Sequence, residues 1–276
     1  MPLTSKRICI TGGAGFIGSH LVQRLIEANE VVVYDNLHRN AIQFAHVEGH
    51  AHLHFIKGDV MDYDATRRAL EGCQVVIHCA AIAGVYSVDR NAVTTMEVNM
   101  LGTHQVVKAA LDVGVERFVE FSTSEVYGPF IHKGKEDDLT TIGPIGESRW
   151  VYAASKLASE HLSFAHYKED GLPLAIVRPF NVYGPRQVGD GAVRGMILQA
   201  LQHAPITLYN DGTRRSTSGP GCGVKTISDF DCVSLMIMFA SSKFVAVPCG
   251  LPRLKTLPIA SFFSAQRRTP STKSST

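Results

Sequence analysis

Long apolar runs are missing from this sequence: no window reaches the roughly 18 uninterrupted apolar residues of a membrane-spanning helix, so no membrane partner is expected. The N-terminus enters a β-prone run within a few residues and shows none of the charged, apolar and small-residue sections of a secretory signal. CxxC pairs are missing too. The six cysteines (Cys9, Cys73, Cys79, Cys222, Cys232, Cys249) are scattered, and three lie in or beside apolar runs where a thiol acts as a small hydrophobe, which fits a reducing cytoplasm better than a disulfide scaffold. Acidic residues stop early: all 25 lie at or before Asp231, whereas six of the 27 basic residues (Lys243, Arg253, Lys255, Arg267, Arg268, Lys273) lie beyond it, giving a body of −4 and a tail of +6. With no basic stripe over the body, nucleic acid is not an expected partner. No internal repeat is visible.

What is present is alternation. Short apolar runs at residues 6–11, 31–34, 53–56, 75–78, 118–122 and 174–177 read as strands. Between them, helical periodicity marks residues 16–26, 65–70, 92–112 and 153–168. Strands of about five residues alternating with helices imply βαβ units and parallel pairing. The fold class is therefore α/β, a doubly wound parallel sheet of the Rossmann type. Beyond about residue 190 the pattern weakens. Residues 195–202 and 230–240 look helical and 206–208 strand-like, but 212–226 is Gly, Ser, Thr, Arg and Pro with little to bury. The expected division is a Rossmann domain over 1–180, a partial substrate lobe over 181–243, and a disordered or atypical tail over 244–276.

The glycines Gly12, Gly13, Gly15 and Gly18 follow the first strand and open the first helix. There they make a tight turn, admit a pyrophosphate against bare backbone and aim the helix N-terminus at its charge. Asp35 ends the second strand, placed to accept hydrogen bonds from both ribose hydroxyls of an adenosine and to repel a 2′-phosphate, so NAD is the expected cofactor over NADP, with Asn36 following it and Arg39 the one nearby cation that argues otherwise. Asp59 is placed to reach the adenine or, on a plainer reading, to cap the next helix.

Tyr152 and Lys156 stand one helical turn apart, so their side chains leave the same face. A phenol with a pKa near ~10 is a poor base at neutral pH. A neighbouring ammonium and a cationic nicotinamide would favour the phenolate and lower that value.

The stretches Thr11 to His20, Tyr34-Asp35-Asn36-Leu37, Gly58-Asp59, His78 to Ala81, Asn99 to Thr103, Ser122 to Gly128, Tyr152 to Lys156 and Arg178 to Arg186 occur here in family order. They resemble the extended short-chain dehydrogenase/reductases that act as NAD-dependent sugar-nucleotide epimerases, dehydratases and decarboxylases. The resemblance implies a nucleotide-diphosphate sugar as substrate and a cofactor site built from Gly12, Gly15, Phe16, Ile17, Gly18, Asp35, Asn36, Asp59, Val60, Ala80, Ala81, Asn99, Ser122, Tyr152 and Lys156. It further implies that Tyr152 takes the proton of the sugar 4-hydroxyl, Thr123 hydrogen-bonds the 4-oxygen, and Lys156 holds the nicotinamide ribose. Asn181 and Arg186 would contact the substrate, with Asn99 bracing the site.

Ser124 and Glu125 choose among outcomes. The family's 4,6-dehydratases carry Asp at position 124 as the acid that expels water, and serine supplies that proton poorly. Thr123-Ser124-Glu125 with Arg149-Trp150 resembles UDP-glucuronate decarboxylases, whereas Arg178 to Gln187 looks more like an epimerase. The sequence reading places a 4-epimerase first and a decarboxylase second. A different class, a catalytically impaired NAD-binding sensor or scaffold, is supported by the departure after Asp211-Gly212-Thr213: Ser216 stands where relatives have a substrate-gripping arginine, and likeness resumes only at Ile227 to Phe230. A frameshifted or misjoined frame would produce this, with NAD binding kept and turnover weak. Relatives commonly pair through two helices, so a homodimer is possible.

Other features have plain readings. His50, His52 and His54 alternate but have no carboxylate or cysteine at ligand spacing, so no metal site is expected. His78 reads as packing beside the cofactor, and Met236, Met238 and Phe239 as core.

Overall fold

Apolar runs become strands and the 3.6-residue patterns become helices close to where the sequence places them. The computed structural model describes residues 3–129, 135–180, 182–189, 191–209, 224–227 and 244–248. In chain order the elements are β1 (Arg7–Thr11), α1 (Phe16–Leu25), β2 (Glu30–Asp35), β3 (Leu53–Lys57), α2 (Tyr63–Leu70), β4 (Val75–His78), α3 (Val85–Arg90), α4 (Ala92–Met96), α5 (Thr103–Val113), β5 (Arg117–Phe121), α6 (Ser148–Glu169), β6 (Leu174–Pro179), α7 (Ala192–Leu201), β7 (Ile206–Tyr209), β8 (Val224–Ile227) and β9 (Phe244–Pro248).

The main sheet runs β3-β2-β1-β4-β5-β6-β9, with every pair parallel except β6 with β9. β7 and β8 form a separate antiparallel ribbon. The strand order reverses between β1 and β4, and at such a switch point the loops leaving the carboxyl ends diverge and open a crevice. Both faces of the sheet are covered. Cys9, Val32, Val76 and Phe118 pack under α2 and α5 with Leu70, Val106, Val107 and Ala110. Their neighbours Ile8, Ile10, Val31, Val33, Val75 and Ile77 pack under α1 with Val22 and Leu25. This two-sided burial explains why the strands read as near-continuous apolar runs.

Two expectations are revised. Residues 92–112 do not form one helix: α4 passes into a π-helical turn over Glu97–Gly102 before α5 begins. The wider turn brings Asn99 fully inside, and such turns favour inward-facing functional side chains. Phe244–Pro248, read as the start of an atypical tail, adds an antiparallel edge strand to β6. The helix read at 230–240, with Met236, Met238 and Phe239, and the tail from 249 onward lie outside the described residues.

His78, at the end of β4, is fully buried. Thr103 spends its hydroxyl proton on the Asn99 carbonyl (2.6 Å), so its oxygen accepts from His78 Nε2–H (2.9 Å) and Nδ1 accepts from Thr11 (2.7 Å). Burial, with the Lys156 charge adding to it, pushes this imidazole down to about 3. The unfolded chain takes up that proton below about pH 6.5 and the folded chain does not. Stability on this account is full above pH 6.5 and falls as the pH drops toward 3, by about 2 kcal/mol at pH 5. Urea unfolding at pH 7 and pH 5 reads this; a His78→Asn chain, less stable overall, shows that much less difference between the two.

Candidate active site

The turn after β1 is shaped by close backbone approach. Gly12 adopts φ +68°, and a Cβ there would lie 2.6 Å from the Ala80 nitrogen; one on Gly18 would lie 2.3 Å from the Gly12 carbonyl oxygen. Only glycine permits this packing of strand, turn and α1. The result is a bare cradle at the N-terminus of α1, where Phe16 and Ile17 begin the helix and Gly12 lies against the backbone of Cys79 and Ala80.

Asp35 forms the far corner. Its carboxylate accepts from Ala14 N (3.0 Å) and Leu37 N (2.7 Å). Burial raises its pKa, and these two backbone hydrogen bonds oppose that rise. Asn36 donates to Asp59 Oδ2 (3.3 Å), and the other Asp59 oxygen accepts from Met61 N (3.0 Å). Asp59 is therefore no helix cap; Asp62 caps α2 by accepting from Ala65 N. Val60 packs in the core against Gly102. Arg39 donates to the Ala83 carbonyl (2.9 Å) and Ser87 Oγ (2.8 Å), so its charge is engaged across the crevice.

At the other end, Thr123 caps a 3₁₀ turn over Ser124–Tyr127, accepting from Glu125 N (3.3 Å). Tyr152, in the second turn of α6, has its phenol pushed up to about 12, chiefly by burial and also by the Glu125 charge, while a hydrogen bond with Thr123 lowers it. This corrects the expectation that Lys156 lowers the phenol: the ammonium lies 3.9 Å from Glu120 instead. Ser122 Oγ is buried and has no hydrogen-bond partner among the described residues. Cradle, ribose corner and orphaned hydroxyl all suit a dinucleotide laid across the switch point.

The sequence family described as the NAD dependent epimerase/dehydratase family matches residues 8–216. The chain belongs to that family. Within this epimerase/dehydratase family it is 37% identical over 212 residues to the UDP-N-acetyl-alpha-D-glucosaminuronate decarboxylase of Bacillus cytotoxicus, a match covering 75% of the chain and 65% of that protein. It is 38% identical over 216 residues to UDP-glucuronic acid decarboxylase 3 of Arabidopsis thaliana, covering 76% of the chain and 61% of that protein. The chain thus spans a little under two thirds of these relatives. Among solved structures it resembles a Bacillus cereus UDP-glucuronic acid 4-epimerase bound to UDP-glucuronic acid and NAD, with TM-score 0.68 and 34% identity, covering 75% of this chain and 67% of that one.

The surroundings of the remaining family positions are as follows. Asn99 uses its amide on Ile82 N (2.8 Å), Ile82 O (3.1 Å) and Ser155 Oγ (3.0 Å), and so braces the loop after β4 against α6. Ser155 in turn donates to the Tyr152 carbonyl (2.8 Å). Arg186 has φ +65°, and its guanidinium lies along α1, 2.5 Å from His20 Nδ1 and 2.9 Å from Gln23 Oε1. Asn181 lies outside the described residues, as do Asp211 to Ser216.

Sequence reasoning missed a buried charge cluster. Arg178 grips Glu160 with a 2.6 Å contact and donates to the Tyr127 hydroxyl at 2.9 Å, tying β6 to α6 and to the 3₁₀ turn. The signal was available: Glu160 repeats the Tyr152–Lys156 spacing one turn further. His50 and His52 stack edge to face near Glu27 and the Ile26 carbonyl. Among the described residues no three His, Cys, Asp or Glu side chains gather as metal ligands, and no helix is long and apolar enough to cross a membrane.

Proposed function

We propose that the chain carries the NAD-dependent, C4-oxidising site of an enzyme that converts a nucleotide-linked sugar, with a UDP-hexuronate as substrate. The observations that carry this reading are the Tyr152 phenol hydrogen-bonded to Thr123 and the bare glycine cradle at the start of α1. The backbone of Gly12 to Gly18 holds the pyrophosphate, Asp35 the adenosine ribose, and Lys156 the nicotinamide ribose. NAD, when bound, supplies the hydride acceptor at C4 and a positive charge near the phenol. Tyr152 takes the proton of the sugar 4-hydroxyl while Thr123 holds the 4-oxygen, leaving a 4-ketone on the sugar.

In a hexuronate that ketone lies β to the carboxylate, so loss of carbon dioxide has a low barrier once C4 is oxidised. Glu125, close enough to raise the phenol, stands where it can act near C5. The two curated relatives are named as decarboxylases, which puts decarboxylation ahead of epimerisation and reverses the order read from the sequence. Epimerisation is the second reading, supported by the run Arg178 to Gln187 and by the likeness to a 4-epimerase structure. Incubation of the NAD-loaded chain with UDP-glucuronate separates the outcomes: a UDP-pentose with carbon dioxide, the 4-epimer, or unchanged sugar with NAD bound. The last outcome overturns the enzymatic reading in favour of an NAD-binding scaffold.

Two supporting expectations follow. Asp35→Asn narrows the preference for NAD over NADP by about tenfold, since the carboxylate no longer repels a 2′-phosphate; titration with each dinucleotide checks it. The chain forms a homodimer through the face carrying Val93, Leu101 and Phe164, which are 71%, 49% and 42% exposed on α4, the π turn and α6. Light scattering reads the mass, and Leu101→Glu gives the monomer.

A further inference from the structure

The inward face of β5 carries Phe118 and then Glu120, a carboxylate where alternation calls for an apolar side chain. In register it lies between His78 on β4 and Ile176 on β6. It is wholly shielded from solvent. One oxygen accepts from Ser159 Oγ at 2.7 Å and lies 3.9 Å from Lys156 Nζ; the other has no hydrogen-bond partner among the described residues. Ser163 Oγ faces it too but falls outside hydrogen-bond geometry.

An isolated carboxylate at such a place costs several kcal/mol unless a counter-charge shares the burial. Lys156 is that counter-charge, itself only 1% exposed. The groups facing the ammonium are Glu120 from β5, Glu160 from its own helix, and His78 and Cys79 from the end of β4. Glu160 is matched by Arg178 through a bidentate contact of 2.6 and 2.9 Å. Burial holds His78 neutral and pushes the Cys79 thiol up, so neither offers a charge at neutral pH. This leaves Glu120 as the carboxylate that balances Lys156. The 3.9 Å separation is loose for an ion pair, so the ammonium is steadied without being captured.

We infer that Glu120 is a positioning residue that keeps Lys156 protonated and aimed into the crevice, so that the lysine is available to the nicotinamide ribose. The inference rests on the role of Lys156 given above. Burial favours neutral forms of both groups and each charge opposes that tendency in the other, so removal of one partner shifts its mate toward the neutral form.

Lysine labelled with ¹³C at the ε position reports this without sugar or turnover, the Lys156 signal being assigned by its loss in Lys156→Met. In Glu120→Gln the Lys156 titration midpoint moves to lower pH, and in Glu120→Asp it moves less. The NAD affinity of Glu120→Gln at pH 8 falls about tenfold, as for the loss of one charge-assisted hydrogen bond, and Glu120→Asp restores part of it. A midpoint in Glu120→Gln that is unmoved or raised overturns the inference. If Glu120→Gln does not fold, the Glu120→Asp midpoint decides by the same criterion. Absence of NAD binding by the unmodified chain would overturn the functional reading instead, while the lysine titration still tests Glu120.

Discussion

Replacing Tyr152 with Phe lowers turnover by a thousandfold or more, on the order of what one positioned acid–base group contributes, and leaves NAD affinity nearly unchanged. The ring stays where α6 puts it and only the proton carrier is lost. The size of the effect follows from the surroundings: the phenol is half-buried, pushed up to about 12 chiefly by loss of solvent, and its one lowering influence is the Thr123 hydrogen bond. Thr123→Val removes that influence, so the phenol is harder to deprotonate and the rising limb of the pH–rate profile moves to higher pH. Initial rates with a UDP-hexuronate across pH 6 to 10, beside NAD titration of each variant, check both statements. A Tyr152→Phe chain retaining a tenth of the activity would remove the phenol from the mechanism.

Gly18→Val abolishes measurable NAD binding, a loss of over a hundredfold, and lowers stability by roughly 3 kcal/mol as overpacking does. The Cβ would stand 2.3 Å from the Gly12 carbonyl oxygen and 2.6 Å from the Gly13 Cα. Both obstacles are backbone and cannot swing away, so the turn must open and the cradle goes with it. Gly195→Ala is the control: on α7 nothing lies within 4 Å of the added methyl, and the change raises helix stability by about 0.5–1 kcal/mol with NAD affinity intact. Calorimetric titration and thermal unfolding of the two variants read the contrast.

The parallel sheet and its crevice were legible because their determinants are local. β1, β2 and β4 carry apolar residues on both faces, and the glycines sit between a strand and a helix. Tyr152 and Lys156 were legible by spacing. What escaped depends on distant partners. The periodicity of 92–112 runs through the π turn unbroken, and only Ile82 and Ser155 explain why Asn99 must turn inward. Glu120 drew no notice in the strand at 118–122, since its burial is set by α6 and by a lysine 36 positions on. The electrostatics of Tyr152 failed for the same reason: helical spacing gave the shared face but not the competing carboxylate. Arg186 was assigned by motif alone, and the positive φ that lays it along α1 has no local signature.

Two short hydrogen-bonded series meet at Asn99: Thr11, His78 and Thr103 lead to its main-chain carbonyl, and its side-chain amide leads through Ser155 to the Tyr152 carbonyl. The Asn99 amide has a single orientation, because flipping it would set its NH2 against the Ile82 N–H in a dry interior. The end of β1 and the second turn of α6 are thereby tied together through the interior. Arg39, by contrast, ties the loop after β2 to the loop after β4 through only two hydrogen bonds, to Ala83 and Ser87.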